Sequence, residues 1–351
     1  MPRPEPCRRV CVEPLELRQL LATVFFQQDL VADDAGAAAR ADPRLVNPWG
    51  LAVGARGIYV ANARSGYATA YDGSGNNVGA SVRVPGPGGG KGSPTGVVVN
   101  DDATKFFLPG TTTPANVIFV TDEGTIDAWN TANRNRTVVV VSDRSADGYS
   151  YKGATIARFK RNPYLYVANF TAGRVDAFNA SFRRVNLPGR FVDPNLPKGY
   201  APFNVQQVDN EVFVMYAKRS GREEVTGRAV GLVNVFGPDG KLIRRFASGK
   251  TLNAPWGVAV APADWGDFAG DILVGNFGDG RITAFDRATG ASQGQLEDFT
   301  GQPIQLAGLW GLAFGNGKAG NLESGLYFAA GVDHETGGLY GRVVVDTVYS
   351  T

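Results

Sequence analysis

Beyond residue 11 the chain has no cysteine: Cys7 and Cys11 are the only two in 351 residues. No disulfide can brace the body of the protein. The Cys-x3-Cys pair has no further cysteine to call on and a single, distant histidine, His334, so a tetrahedral N/S ligand set is incomplete. One histidine also excludes a centre built from several imidazoles. Charge is sparse too. Only 19% of residues are charged and the net charge is +2, too little for the basic footprint of a nucleic-acid binder. No stretch approaches the roughly 18 apolar residues of a membrane-spanning helix.

Glycine, in contrast, is abundant at 46 residues, and 43% of the chain is hydrophobic. That composition suits short strands joined by tight turns. One pattern recurs six times. A turn leads into an apolar stretch at Trp49-Gly50, Thr95-Gly96, Lys152-Gly153, Phe203-Asn204, Trp256-Gly257 and Trp310-Gly311, spaced by 46 to 57 residues. A second stretch follows, as in Ile58-Tyr-Val-Ala-Asn62, Leu165-Tyr-Val-Ala-Asn169 and Ile272-Leu-Val-Gly-Asn276. A third ends in aromatic–Asp/Asn, as in Ala70-Tyr-Asp72 and Ala128-Trp-Asn130. Fourth strands are expected at Arg136–Val141 and Lys241–Phe246. Four strands per period is one propeller blade, so the fold expected is an all-β, six-bladed β-propeller.

The sixth copy ends after Tyr340–Asp346 without a fourth strand, and Thr23–Val31 at the other terminus is an unassigned strand. Pairing the two closes the last blade and covers an open edge. Residues 23–351 then form one domain. Residues 1–22 are basic and Pro-rich, with an apolar run too short and too interrupted by charge for an ordinary secretory signal, and are set apart from the fold as a leader or, alternatively, a disordered tail.

Two resemblances add to this reading. The segment Val12-Glu-Pro-Leu-Glu-Leu-Arg-Gln-Leu-Leu21 resembles the EPLE-R-LL leader of planctomycete surface and exported proteins. The repeat as a whole is similar to NHL-type six-bladed propellers. Asp42–Leu51, Leu273–Ile282 and Gly331–Gly341 resemble a family of uncharacterised, exported bacterial NHL-like proteins. These resemblances imply a propeller and an extracellular or cell-surface location, and imply no reaction.

In a propeller the start of the first strand and the end of the second lie at the same channel mouth. Two rings should meet there. One holds Trp49, Thr95, Lys152, Phe203, Trp256 and Trp310; the other holds Asn62, Asp122, Asn169, Tyr216, Asn276 and Ala330. Asn62, Asn169 and Asn276 are 107 residues apart on alternate blades. With Asp122 they form a candidate oxygen-ligand set for Ca2+, or a hydrogen-bonding ring for a sugar stacked on the tryptophans. The alternative is structural: Asn caps its own backbone, and large aromatics pack between blades. His334, in Asp333-His334-Glu335, is the candidate general base, or else part of a solvated loop. Asp264, Asp267 and Asp271 read as turn formers on the opposite face, and Gly86–Gly90 as a surface connection with no helix behind it.

Two functions compete. The first is an exported, monomeric binding or scaffold module for carbohydrate, peptide or a cell-surface component. The second is a metal-assisted hydrolase or lactonase of the six-bladed type, for which Asp122, Glu123, Asp333 and Glu335 are the available carboxylates.

Overall fold

The computed structural model describes residues 21–79, 81–132 and 138–349. The leader up to residue 20, with Cys7 and Cys11, and the Arg136–Thr137 part of one expected fourth strand lie outside the described residues. Leu21 and Ala22, assigned to the leader by sequence, belong to a strand that spans Leu21–Ala32.

Six antiparallel sheets form the blades. The innermost strands are Pro48–Gly54, Pro94–Val99, Tyr151–Phe159, Tyr200–Val208, Pro255–Val260 and Leu309–Phe314, in blades one to six. Each touches the next around the ring, and the sixth touches the first. The second strands are Gly57–Asn62, Val117–Thr121, Asn162–Asn169, Glu211–Ser220, Ile272–Asn276 and Leu326–Ala330. β-Branched and aromatic residues fill them, as buried pleated strands favour. In blade two the fourth strand is Val139–Asp143 and in blade four Leu242–Ser248, each slightly displaced from its expected position.

Blade six closes as the sequence requires. Leu339–Tyr349 pairs antiparallel with Leu21–Ala32, Phe25 opposite Val345 and Val24 opposite Asp346. The joint between the chain's two ends therefore lies inside one sheet, and the outer edge is capped by the short parallel strand Arg40–Ala41.

Six apolar clusters fill the gaps between neighbouring blades. A seventh lies at the mouth: Trp49, Phe170, Phe203, Trp256 and Trp310, with small alanines around them and Phe277 against them. Its position follows from a bulge shared by all six innermost strands. The pairing register jumps from Pro48 to Leu51, Pro94 to Gly96, Tyr151 to Gly153, Pro202 to Asn204, Pro255 to Gly257 and Leu309 to Leu312. The skipped residues are the first ring read from the sequence. A bulged residue leaves the ladder and its side chain is re-aimed. The glycine that follows permits close approach of the next blade: a Cβ on Gly311 would lie 2.6 Å from the Trp49 carbonyl oxygen, and one on Gly257 would lie 2.7 Å from that of Trp310.

Candidate functional site

The bulges bring most of the first ring together as an aromatic plug. Trp310 is fully buried. Trp49 stacks on it at 3.4 Å between ring centroids and Phe277 at 4.1 Å. Trp256 meets it edge-on at 6.0 Å and Phe203 is tilted against it at 5.6 Å. Stacking partners from the chain itself occupy Trp49 and Trp310, so the expected sugar-stacking face is not free at these two residues. The Trp49 indole N–H donates to Asn47 Oδ1 at 3.0 Å, whereas those of Trp256 and Trp310 are buried without a partner. Thr95 donates to the Tyr151 carbonyl oxygen at 2.6 Å and ties blade two to blade three.

The second ring divides. Asn62, Asn169 and Asn276 are fully buried, and no hydrogen bond joins any two of them. Asn62 donates to Thr69 Oγ1 at 3.1 Å and Asn169 to Asp176 Oδ2 at 2.7 Å, each on the third strand of its own blade. Asn276 donates to the Thr251 carbonyl oxygen at 2.7 Å and accepts from the Asn253 N–H at 3.1 Å. These bonds hold the amides of Asn62 and Asn169 to the third strand of their own blades and that of Asn276 to the loop before its blade, and Asn62 Oδ1 is buried without a partner. Among the described residues no group of three His, Cys, Asp or Glu is placed to hold a metal ion. Tyr216 is buried, and its hydroxyl is pushed up from its ordinary pKa by that burial. Ala330 is buried.

Asp122 and Lys152 do meet. The Lys152 ammonium lies 3.0 Å from Asp122 Oδ1, with Trp49 at 5.0 Å and Phe170 at 5.8 Å beneath it. Lys152 is 3% exposed, and a buried ammonium requires such a partner. Burial alone would raise the Asp122 carboxyl. Lys152, the Ser150 hydroxyl bonded to it and Arg222 outweigh that and hold it below its ordinary value.

Two further carboxyls surround this pair. In blade four the second strand runs on to Ser220 and turns back as Glu223–Val225, with Glu224 opposite Arg219. Arg222 donates to the Asp122 carbonyl oxygen at 2.7 Å and to that of Gly148 at 3.2 Å, so this hairpin leans over blades two and three. Burial pushes Glu224 up to about 7, against the pull of Lys152. Glu335 is also raised by burial, opposed by Asn47 and Lys152. One oxygen of each, Glu224 Oε2 and Glu335 Oε1, is buried without a partner. Glu335 ends a turn in which Asp333, His334 and Glu335 all have positive φ, 52°, 54° and 65°. Left-handed conformations in non-glycine residues cost about 1 kcal/mol or more each and concentrate at functional sites. The turn directs Glu335 inward and leaves His334 exposed, with no side-chain bond. Sequence reasoning missed Glu224. Its signal is the unusual length of chain between the second and third strands of blade four.

The opposite end of the channel is open. Below the plug a neck of about 20 Å³ lies against Trp256, Gly257 and Gln206. It widens into a bore of about 410 Å³ and then a basin of about 1020 Å³ at the face of the first-to-second-strand loops. Bore and basin share Val53, Val99 and Gln207.

No family model matches the chain. It is 30% identical over 329 residues to the uncharacterised protein R648 of Acanthamoeba polyphaga mimivirus, covering 91% of this chain and 80% of that one. It is 31% identical over 350 residues to the uncharacterised protein L690 of the same virus, covering 96% and 90%. The chain belongs to their family. Among solved structures it is similar to the soluble aldose sugar dehydrogenase of Escherichia coli, with TM-score 0.57 and 12% identity over 91% of this chain and 99% of that one. It is similar also to virginiamycin B lyase of Staphylococcus aureus, with TM-score 0.53 and 13% identity over 92% and 99%. At such identities these two share the propeller fold with this chain, and their activities do not carry over.

Proposed function

We propose that the protein is a β-propeller binding module whose ligand seats at the mouth against Lys152, Asp122, Glu224 and Glu335. The observation that carries this reading is the pair of buried carboxyl oxygens without protein partners, on Glu224 and Glu335, beside a lysine already neutralised by Asp122. Buried acceptors of this kind cost free energy unless a ligand or water donates to them. Clusters of carboxyls shifted by burial and by one another mark functional sites. A ligand rich in N–H or O–H groups, such as a sugar or a peptide amine, supplies the donors. It does so by hydrogen bonding at the rim, because the faces of Trp49 and Trp310 are stacked within the plug.

The test is a glycan and peptide array with the wild type and the Glu224→Gln/Glu335→Gln double variant. The wild type is expected to bind, and the variant to bind at least about tenfold more weakly with a cooperative melt retained. Equal binding by both proteins would overturn the reading. The rival, a metal-assisted hydrolase or lactonase, draws on Asp122, Asn62, Asn169 and Asn276, three of which are engaged in their own blades. A rise in melting temperature with Ca2+ that disappears in Asp122→Asn would favour it.

We also propose that the protein acts outside the cell or at its surface, on the strength of the leader-like segment Val12–Leu21. Mass spectrometry of protein from its native host should find the N-terminus near Ala22. An intact N-terminus on cytosolic protein would refute export.

A further inference from the structure

Blade three has a pocket of its own, which shares no lining residue with the bore, the basin or the carboxyls of the mouth. The third strand of this blade is Arg174–Phe178, and its fourth, Arg184–Val185, pairs with it only at Ala177 and Phe178. The chain then crosses to blade four, where the Gly189 and Phe191 N–H groups donate to the Asp239 and Gly240 carbonyl oxygens, both at 2.9 Å. Where the ladder stops, a pocket of about 250 Å³ opens between these segments. Val175, Val185, Leu187 and Val192 lie in its wall, and Val192 is 57% exposed.

The charged side of the pocket is built around one carboxylate. The Asp176 side chain is buried, at 1% exposure. Its Oδ2 accepts from Asn169 at 2.7 Å. Its Oδ1 takes Arg174 Nε at 2.7 Å and Arg184 Nε at 2.9 Å, which fixes two guanidiniums side by side. Arg174 also donates from Nη2 to the Tyr149 hydroxyl at 2.7 Å. Among the described residues the Nη groups of Arg184 make no hydrogen bond. Arg190 supplies the third guanidinium. It and Phe191 have positive φ, 53° and 54°, a strained pair of the kind that concentrates at functional sites. Phe191 is held inside, against Tyr166 at 5.2 Å and Phe236 at 5.3 Å. Arg190 is exposed and, among the described residues, in no ion pair. Three guanidiniums against one carboxylate leave the pocket a net charge of +2.

A planar guanidinium fork matches the oxygens of phosphate and carboxylate groups. A phosphomonoester is close to a dianion at neutral pH, so it neutralises this pocket, whereas a carboxylate leaves one positive charge over. We propose that the pocket binds a small organic phosphate monoester, with its phosphoryl oxygens on Arg174, Arg184 and Arg190 and its apolar substituent over Val185, Leu187 and Val192.

The experiment is isothermal titration of the full protein at pH 7.5 with phenyl phosphate. Inorganic phosphate serves as the anion without an apolar group, and phenyl sulfate as the same shape with one charge fewer. Phenyl phosphate should bind at least about tenfold more tightly than inorganic phosphate, through burial of its ring, and at least about fivefold more tightly than phenyl sulfate. Arg184→Gln/Arg190→Gln should weaken phenyl phosphate at least about tenfold. Should that variant not melt cooperatively, Arg190→Gln alone removes a side chain that no ion pair holds, and should weaken binding at least about threefold. Arg183→Gln, at an exposed neighbour outside the pocket, should leave binding unchanged. Absence of phenyl phosphate binding, equal affinity for inorganic phosphate or phenyl sulfate, or a loss in Arg183→Gln as large as that in the double variant would overturn the proposal. So would binding that both Arg190 variants leave unchanged.

Discussion

Each innermost strand begins at the mouth and ends at the open face, so the two ends of the channel share one set of strands. At the mouth, bulges release Trp49, Phe203, Trp256 and Trp310 from the ladder, and these side chains fill the axis. At the other end the strands finish without bulges in residues such as Val53 and Val99, too small to meet across the axis. Strand geometry is common to both ends. What separates them is one irregular position per strand and the volume of the side chain placed there.

The largest test of that contrast is Trp310→Ala. Removing the centre of the plug should destabilise the protein by about 3–5 kcal/mol, as expected for a buried aromatic, and open the mouth. Chemical denaturation measures the first effect. A loss below about 1 kcal/mol would mean that the plug is not tightly packed.

Lys152→Met asks whether the charge on the plug matters as much as its rings. It leaves Asp122 beside raised carboxyls with Arg222, 3.8 Å from Oδ2, as its remaining cation. Breaking a buried pair costs about 3–5 kcal/mol, and the one-third exposure of the Asp122 side chain reduces the loss to about 2 kcal/mol. Restoration of stability by Lys152→Met/Asp122→Asn would support the pairing. An equally unstable double variant would point to the lysine's aliphatic contacts instead.

Glu224→Gln sharpens the same point through pH. Burial raises Glu224 in the folded state to about 7, above its ordinary 4.5. The stability it contributes is complete below about pH 4.5 and is lost as pH rises through about 7. The variant should match the wild type at pH 4 and exceed it by about 1–2 kcal/mol at pH 8 in urea denaturation. Asp127, raised by burial to about 8, acts in the same direction, so part of the pH slope should persist. A variant less stable than wild type at pH 8 would show that the ionised carboxylate is held by partners.

The smallest effect belongs to the open end. Gln206 has no side-chain partner, and Gln206→Leu should change stability by less than about 0.5 kcal/mol. A loss above about 1 kcal/mol would place Gln206 in a network like that of the mouth.

The repeats made the blades and the terminal closure legible, because strand alternation and turn residues are local signals. They also named the ring that becomes the plug. They did not show whether those rings face a ligand or one another, since that depends on the bulge and on distances across the axis. The amides of Asn62 and Asn169 looked convergent from their spacing. Their partners, Thr69 and Asp176, lie on the next strand of the same blade, where a polar residue seven positions on offers a closer bond. In Asp333-His334-Glu335 the residue type favoured His334, whereas three left-handed residues in succession turn Glu335 inward. Glu224 carried no motif, only an overlong connection.

The most direct measurement compares thiol access at the two ends. In a chain with Cys7→Ser and Cys11→Ser, single cysteines are introduced as Val99→Cys on the bore and Ala217→Cys in the fully buried cluster of the plug. Labelling of the native protein by a small methanethiosulfonate should be at least about a hundredfold faster at Val99→Cys, since Ala217→Cys must await local opening. Adding Trp310→Ala should accelerate the Ala217→Cys reaction. Equal rates in the unmodified plug, or faster labelling at Ala217→Cys, would contradict a channel sealed at the mouth and open at the opposite face.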